Sequence, residues 1–105
     1  MLRVRNMISK ASGREVANQF IIEDDTKVMF QSYSSPIVEI DWENSVINVY
    51  EDWNYSVTTS KYRNAFMEDN GFYDMSNKKG FEKHLELGVV KNSLLKEFKV
   101  IKCYE

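Results

Sequence analysis

A chain of 105 residues with 43% hydrophobic and 13% aromatic residues suits one folded domain, burying roughly two-thirds of the surface its unfolded chain exposes. Charged residues make up 29% and nearly cancel to −2, which excludes a disordered acidic or basic tail. The single cysteine, Cys103, excludes an internal disulfide and fits a reducing cytoplasm, and no window approaches the roughly 18 apolar residues of a membrane span.

Met1 to Arg14 carries Arg3, Arg5, Lys10 and Arg14 with no sustained apolar period and no signal-peptide core. It reads as a flexible basic arm that ends in a turn at Ser12-Gly13. From Val16 the pattern predicts a first strand, closed by a hairpin turn over Glu23-Asp24-Asp25-Thr26. A second strand follows at Lys27 to Tyr33, with Val28 and Phe30 on one face. Ser34-Ser35-Pro36 stops it, because proline has no backbone donor for a sheet ladder.

Ile37 to Trp42 alternates cleanly, Val38, Ile40 and Trp42 on one side and Ile37, Glu39 and Asp41 on the other. Glu43-Asn44-Ser45 turns the chain into a fourth strand over Val46 to Tyr50, with Ile47 and Val49 inward. Four short strands joined by short turns predict an antiparallel meander with one covered face.

Helices supply the cover. Ser56, Thr58 and Thr59 each offer an oxygen to the free amides of a helix start, and Asn70-Gly71 is a stop signal, so a helix runs to about Asp69. Its stripe of Tyr62, Ala65 and Phe66 is expected to face the sheet. A second helix, capped by Ser76 and ended by Gly88, turns Phe81 and Leu85 inward, at a cost of roughly 1 kcal/mol for Gly80 relative to alanine. Residues 89–96 fit neither helix nor strand cleanly, and Glu97 to Cys103 alternates as a final strand. The expectation is a single α+β domain over 1–105, an antiparallel sheet of four to five strands with one or two helices on one face. An edge strand such as Ile37 to Trp42, or the last strand, is open to pairing across a dimer.

Net charge hides an uneven layout: +3 over residues 1–19, −8 over 20–75 and +3 over 76–105. Such a middle repels nucleic acid and steers cationic partners. His84 and Cys103 are the only residues of their types, so no His/Cys cluster of metal-ligand spacing exists, and the four glycines are isolated. The carboxylates of Asp41 and Glu43, or of Glu23 to Asp25, match no calcium-loop pattern. No catalytic residue, metal or cofactor is predicted.

The densest stretch is Trp53 to Phe66. Lys61 and Arg63 with Tyr55, Tyr62, Ser56 and Thr59 at a helix start can hold an anion, since free amides and the helix dipole favour negative charge. The alternative is that the hydroxyls only cap the helix. As anchors for a protein partner the sequence offers Trp53, Tyr55, Lys61 and Arg63, together with the acids Asp41, Glu43, Glu51 and Asp52.

Asn18-Gln19-Phe20-Ile21-Ile22, Phe30-Gln31-Ser32-Tyr33, Tyr55-Ser56 and Thr58-Thr59-Ser60-Lys61-Tyr62-Arg63-Asn64-Ala65-Phe66 resemble a family of small uncharacterised proteins of bacteriophages and mobile elements of Gram-positive bacteria. The resemblance spans roughly Arg5 to Met67, with glutamate at Glu15 where many such relatives have proline. It implies a phage context and brings no activity. Small acidic proteins in that context often bind host machinery, so the expectation is a non-enzymatic protein-binding module in the bacterial cytoplasm. It would inhibit or modulate a host protein such as a nucleic-acid-guided nuclease of CRISPR-type defence. The alternative partner is nucleic acid itself, held by Arg3, Arg5, Lys10, Arg14 and the lysine-rich last third, and opposed by the acidic middle.

Overall fold

The alternating stretches of the first half form the predicted strands in a computed structural model, which describes residues 1–104. After β1 (Arg3–Ile8) come β2 (Glu15–Glu23), β3 (Lys27–Ser32), β4 (Ser35–Asp41) and β5 (Val46–Val49), an antiparallel meander. A 3-10 turn at Glu51–Asn54 leads into α1 (Val57–Asp69), and a second at Tyr73–Met75 into α2 (Lys78–Leu87). The chain ends in β6 (Val89–Lys91) and β7 (Glu97–Lys102).

The sheet has seven strands in the order β1-β2-β3-β4-β5-β7-β6, and β7 runs parallel to β5. It is therefore larger than the expected four to five strands and not wholly antiparallel. Two segments account for the difference. The basic arm is strand β1, in which Arg3, Val4 and Arg5 pair with Glu23, Ile22 and Ile21. Residues 89–91 form β6, which Gly88 starts by turning the chain through a left-handed φ of 75° at the end of α2.

The arm's cations looked solvated because their partners are distant in sequence. Arg3 and Arg5 each lie 3.7 Å from the Glu23 carboxylate, and Lys10 lies 2.9 Å from Asp69 and 3.1 Å from Glu68. Part of the −8 middle is thus answered by the +3 beginning. Strands β4 and β7, expected as free edges for a dimer, are both interior; the open edges are β1 and β6.

β3 ends at Ser32, before the expected stop, but Ser35 and Pro36 already belong to β4, beside a register shift that pairs Phe30 with Val38 and Gln31 with Pro36. Ile37 is the extra residue of this bulge, so Ile37 and Val38 are both buried and the alternation predicted for β4 breaks there. Trp42 lies only partly inward, its ring 5.8 Å from Phe72 and 5.6 Å from Phe98.

Ser56 caps α1, its Oγ accepting from the Thr59 amide at 3.1 Å. The buried face of α1 is Thr59, Arg63, Phe66 and Met67, while Tyr62 and Ala65 pack at its margin. An apolar-stripe reading misses this face because two of its four members are polar. The cap of α2 is Asn77, not Ser76: Asn77 Oδ1 accepts from the Gly80 amide at 2.8 Å, and Ser76 Oγ donates to the Tyr73 carbonyl. Phe81 and Leu85 are buried as predicted. Between sheet and helices the core is aromatic, with Phe30 against Phe66 at 5.9 Å and Phe72 edge-on to Phe98 at 4.9 Å.

Candidate functional site

The turn between β3 and β4 consists of Tyr33 and Ser34, a two-residue hairpin loop. Its first position has a left-handed backbone, φ 56° at Tyr33, where glycine or asparagine is preferred. A bulky residue there costs backbone energy, and Tyr33 as a whole remains 52% exposed. It lines a groove of about 670 Å³ together with Tyr55, 71% exposed, at the entry to α1.

The groove is lined with hydroxyls. Ser32 Oγ and Thr59 Oγ1 share a buried hydrogen bond of 2.9 Å that pins α1 to β3, and Ser56 Oγ donates to Thr59 Oγ1 at 3.1 Å. Ile37 and the Asp52 side complete the lining. These oxygens are engaged with one another and with the helix cap, and the histidine, His84, lies on α2 with Nδ1 2.9 Å from the Val89 carbonyl. The arrangement suits recognition by rings and hydroxyls.

Ser56 and Asp52 each belong to a second cleft as well. Ser56 borders one of about 620 Å³ with Val57, Lys61 and Lys78, and Asp52 borders another with Glu51, Tyr50 and Tyr104. The 51–56 segment is therefore a ridge between three hollows. Of the predicted anchors, Glu51, Asp52 and Tyr55 lie on it, and Lys61 borders the cleft on the Ser56 side.

The other predicted anchors line none of the three hollows. Arg63 is fully buried, and Trp53 is partly buried under it. The Arg63 guanidinium lies 4.7 Å from the Phe81 ring centre and 5.3 Å from that of Trp53, and donates to the Trp53 carbonyl at 2.7 Å, to Asn64 Oδ1 at 2.9 Å and to Ser60 Oγ at 3.4 Å. Burial lowers its pKa to about 10, and among the described residues no carboxylate forms an ion pair with it. The Trp53 ring stacks on Phe81 at 5.2 Å and donates from Nε1 to Tyr104 Oη at 3.0 Å. Neither residue presents an anchor to a partner; both clamp the 3-10 turn, α1, α2 and the C-terminal end together.

Asp41 and Glu43 sit at and beyond the far end of β4, whose first and last residues are about 20 Å apart, so they are removed from Tyr33 at its near end. Asp41 is buried, and its carboxylate accepts from Asn44 Nδ2 at 2.9 Å and the Asn44 amide at 3.0 Å, which holds its pKa below the ordinary value. It shapes a turn. Glu43 is exposed there. Tyr33, the residue that shares the groove with Tyr55, was missed as a site residue; the signal available in the sequence was a tyrosine where a two-residue hairpin wants glycine or asparagine.

Among the described residues no group of three or more His, Cys, Asp or Glu side chains converges on a possible metal position, and no helix is long and apolar enough to cross a membrane. The acids of the middle do not form one free face. Glu23, Asp25, Glu68 and Asp69 are in ion pairs, Asp24 and Asp41 close turns, and Glu39 accepts from Asn48 at 3.1 Å.

A model described as "Family of unknown function (DUF8033)" matches residues 3–83, from β1 into α2. No curated protein and no solved structure matches the chain.

Proposed function

Because the chain belongs to the Family of unknown function (DUF8033), which brings no activity with it, we propose from its own surface that it is a non-enzymatic protein-binding module whose contact is the Tyr33–Tyr55 groove. The observation that carries this reading is Tyr33, a half-exposed residue held at a left-handed backbone position and lining one groove with a second exposed tyrosine. Strained backbone persists where something other than stability retains it. Tyrosines of this kind, amphipathic and stiff, are favoured anchors at interfaces.

The finer form of the reading takes the partner to be a bacterial host protein met in a phage context, a guided nuclease of host defence being the sharpest version. Its support is the sequence resemblance and two acids that are in no ion pair among the described residues, Asp52 in the groove's lining and Glu51 next to it in the chain. The test immobilises the wild-type chain and a Tyr33→Asn/Tyr55→Ser variant and compares the proteins each captures from a Gram-positive lysate. A host protein retained by the first and lost by the second supports the reading. Equal capture by both, or none by either, removes it.

A further inference from the structure

Strand β1 is the longer of the sheet's two open edges, since β6 on the opposite side spans three residues. From Arg3 to Asn6 it pairs with β2 in regular register, with no proline, and the register shifts only before Ile8. The outer side of this stretch is a straight run of backbone donors and acceptors, and such an edge adds a strand wherever the flanking side chains permit it.

On the helix side, Arg3 and Arg5 lie 3.7 Å from the same oxygen, Glu23 Oε1. Two guanidinium groups share one carboxylate, so the edge keeps an excess positive charge. Beside Arg5 a cleft of about 200 Å³ opens between β1 and the C-terminal end of α1, lined by Met7, Ile21 and Phe66 and by the carboxylates of Glu23 and Asp69, the second of which is paired with Lys10. The other side differs. There Val4, 60% exposed, heads an apolar row that continues through its register partners to Ile22 and then Met29.

We propose that β1 accepts an extended segment of a partner protein as an eighth strand, and that this segment alternates acidic with apolar residues. Its acids face Arg3 and Arg5, and its apolar residues lengthen the row that begins at Val4. A second copy of this chain does not fit. Antiparallel pairing of the regular stretch with itself, about a two-fold axis at Val4 or Arg5, sets Arg3 against Arg5 or Arg5 against itself, and like charges directly opposite are destabilising. The inference stands apart from the tyrosine groove, which involves neither β1 nor its neighbours' outer row.

The test is a titration of the ¹⁵N-labelled chain with two synthetic peptides, Thr-Glu-Val-Glu-Val-Thr and its lysine counterpart. The glutamate peptide is expected to bind at least about five-fold more tightly and to shift the amides of β1 and β2 while leaving β6 and the start of α1 unmoved. The triple variant Arg3→Glu/Arg5→Glu/Glu23→Lys keeps the internal pairing with its signs exchanged, and is expected to prefer the lysine peptide. Three results would each overturn the proposal. They are equal affinity for the two peptides, no saturable binding up to about 1 mM, and β1 amides that shift with protein concentration alone, which would mean that a second copy occupies the edge.

Discussion

Arg63 sits with its guanidinium 4.7 Å from the centre of the Phe81 ring, so a cation on α1 and an aromatic ring on α2 form one contact inside the core. Trp53 covers the other flank at 5.3 Å. The cation replaces its lost hydration with two rings and three hydrogen-bond acceptors, and among the described residues Nε finds no partner. An ion this deep gains little over an apolar group of its own size.

Arg63→Ala is therefore expected to cost about 3 kcal/mol through the cavity it leaves, and Arg63→Met only about 1 kcal/mol, chiefly from the Trp53 carbonyl losing its donor. Urea unfolding with an unchanged m-value checks both. The pH dependence has a definite sign. Burial lowers Arg63 to about 10, so between that pH and its higher ordinary value the unfolded state holds more protons and this group makes stability rise with pH. Below pH 10 its contribution is constant, and the difference between wild type and Arg63→Met should be flat across neutral pH. A slope through pH 7 would contradict the assignment.

The meander, both helix ends near Asp69 and Leu87, and the inward Phe81 and Leu85 were legible because each rests on local chemistry: period-two alternation, a hydroxyl cap, a glycine stop. What was not legible depends on residues far apart. The ion pairs that turn Met1–Arg14 into a strand join Arg5 to Glu23 and Lys10 to Asp69, and nothing at Lys10 announces Asp69. The burial of Arg63 needed Phe81, eighteen positions on in another helix. Of the candidate site, Tyr55 and Lys61 are readable within the crowded stretch from Trp53 to Phe66 and Asp52 as an acid beside it, whereas Tyr33 comes to the groove of Tyr55 and Asp52 only through the β3–β4 hairpin.

Gly80 inverts an ordinary expectation. Replacing a helix-interior glycine with alanine usually gains about 1 kcal/mol. Here a Cβ would fall on the Asp74 carbonyl oxygen and within 3.3 Å of Asn77 Oδ1, the α2 cap, so the 3-10 turn at Tyr73–Met75 and the helix cannot both hold their places. Gly80→Ala is expected to lower stability by about 2 kcal/mol. A raised melting temperature would show that the turn yields freely.

Two aspartates give the fold its acid sensitivity. The amides of Thr26 and Lys27 hold the Asp24 pKa below the ordinary 3.8, and the Asn44 side chain and amide do the same for Asp41. A lowered carboxylate stabilises the folded state above its ordinary pKa, and that contribution disappears as pH falls through the lower folded value. The fall in urea midpoint between pH 6 and pH 2.5 should therefore be smaller in Asp24→Asn/Asp41→Asn than in the wild type. An equal fall in both would place the acid sensitivity elsewhere.

Tyr33 separates stability from binding in one substitution. Its φ of 56° suits asparagine better than a tyrosine, and the residue is half in solvent, so Tyr33→Asn removes little packing and relieves the turn. The variant is expected to be about 0.5–1 kcal/mol more stable than the wild type. Tyr55→Ser, at 71% exposure, should change stability by less than about 0.5 kcal/mol. If the groove is a contact surface, both variants lose the captured partner although neither is less folded, and Tyr33→Asn loses it while melting higher. Urea midpoints and capture measured on the same preparations decide the matter. A Tyr33→Asn chain that melts lower than the wild type would mean that the ring serves the fold, and retention of partner would move the contact away from this groove.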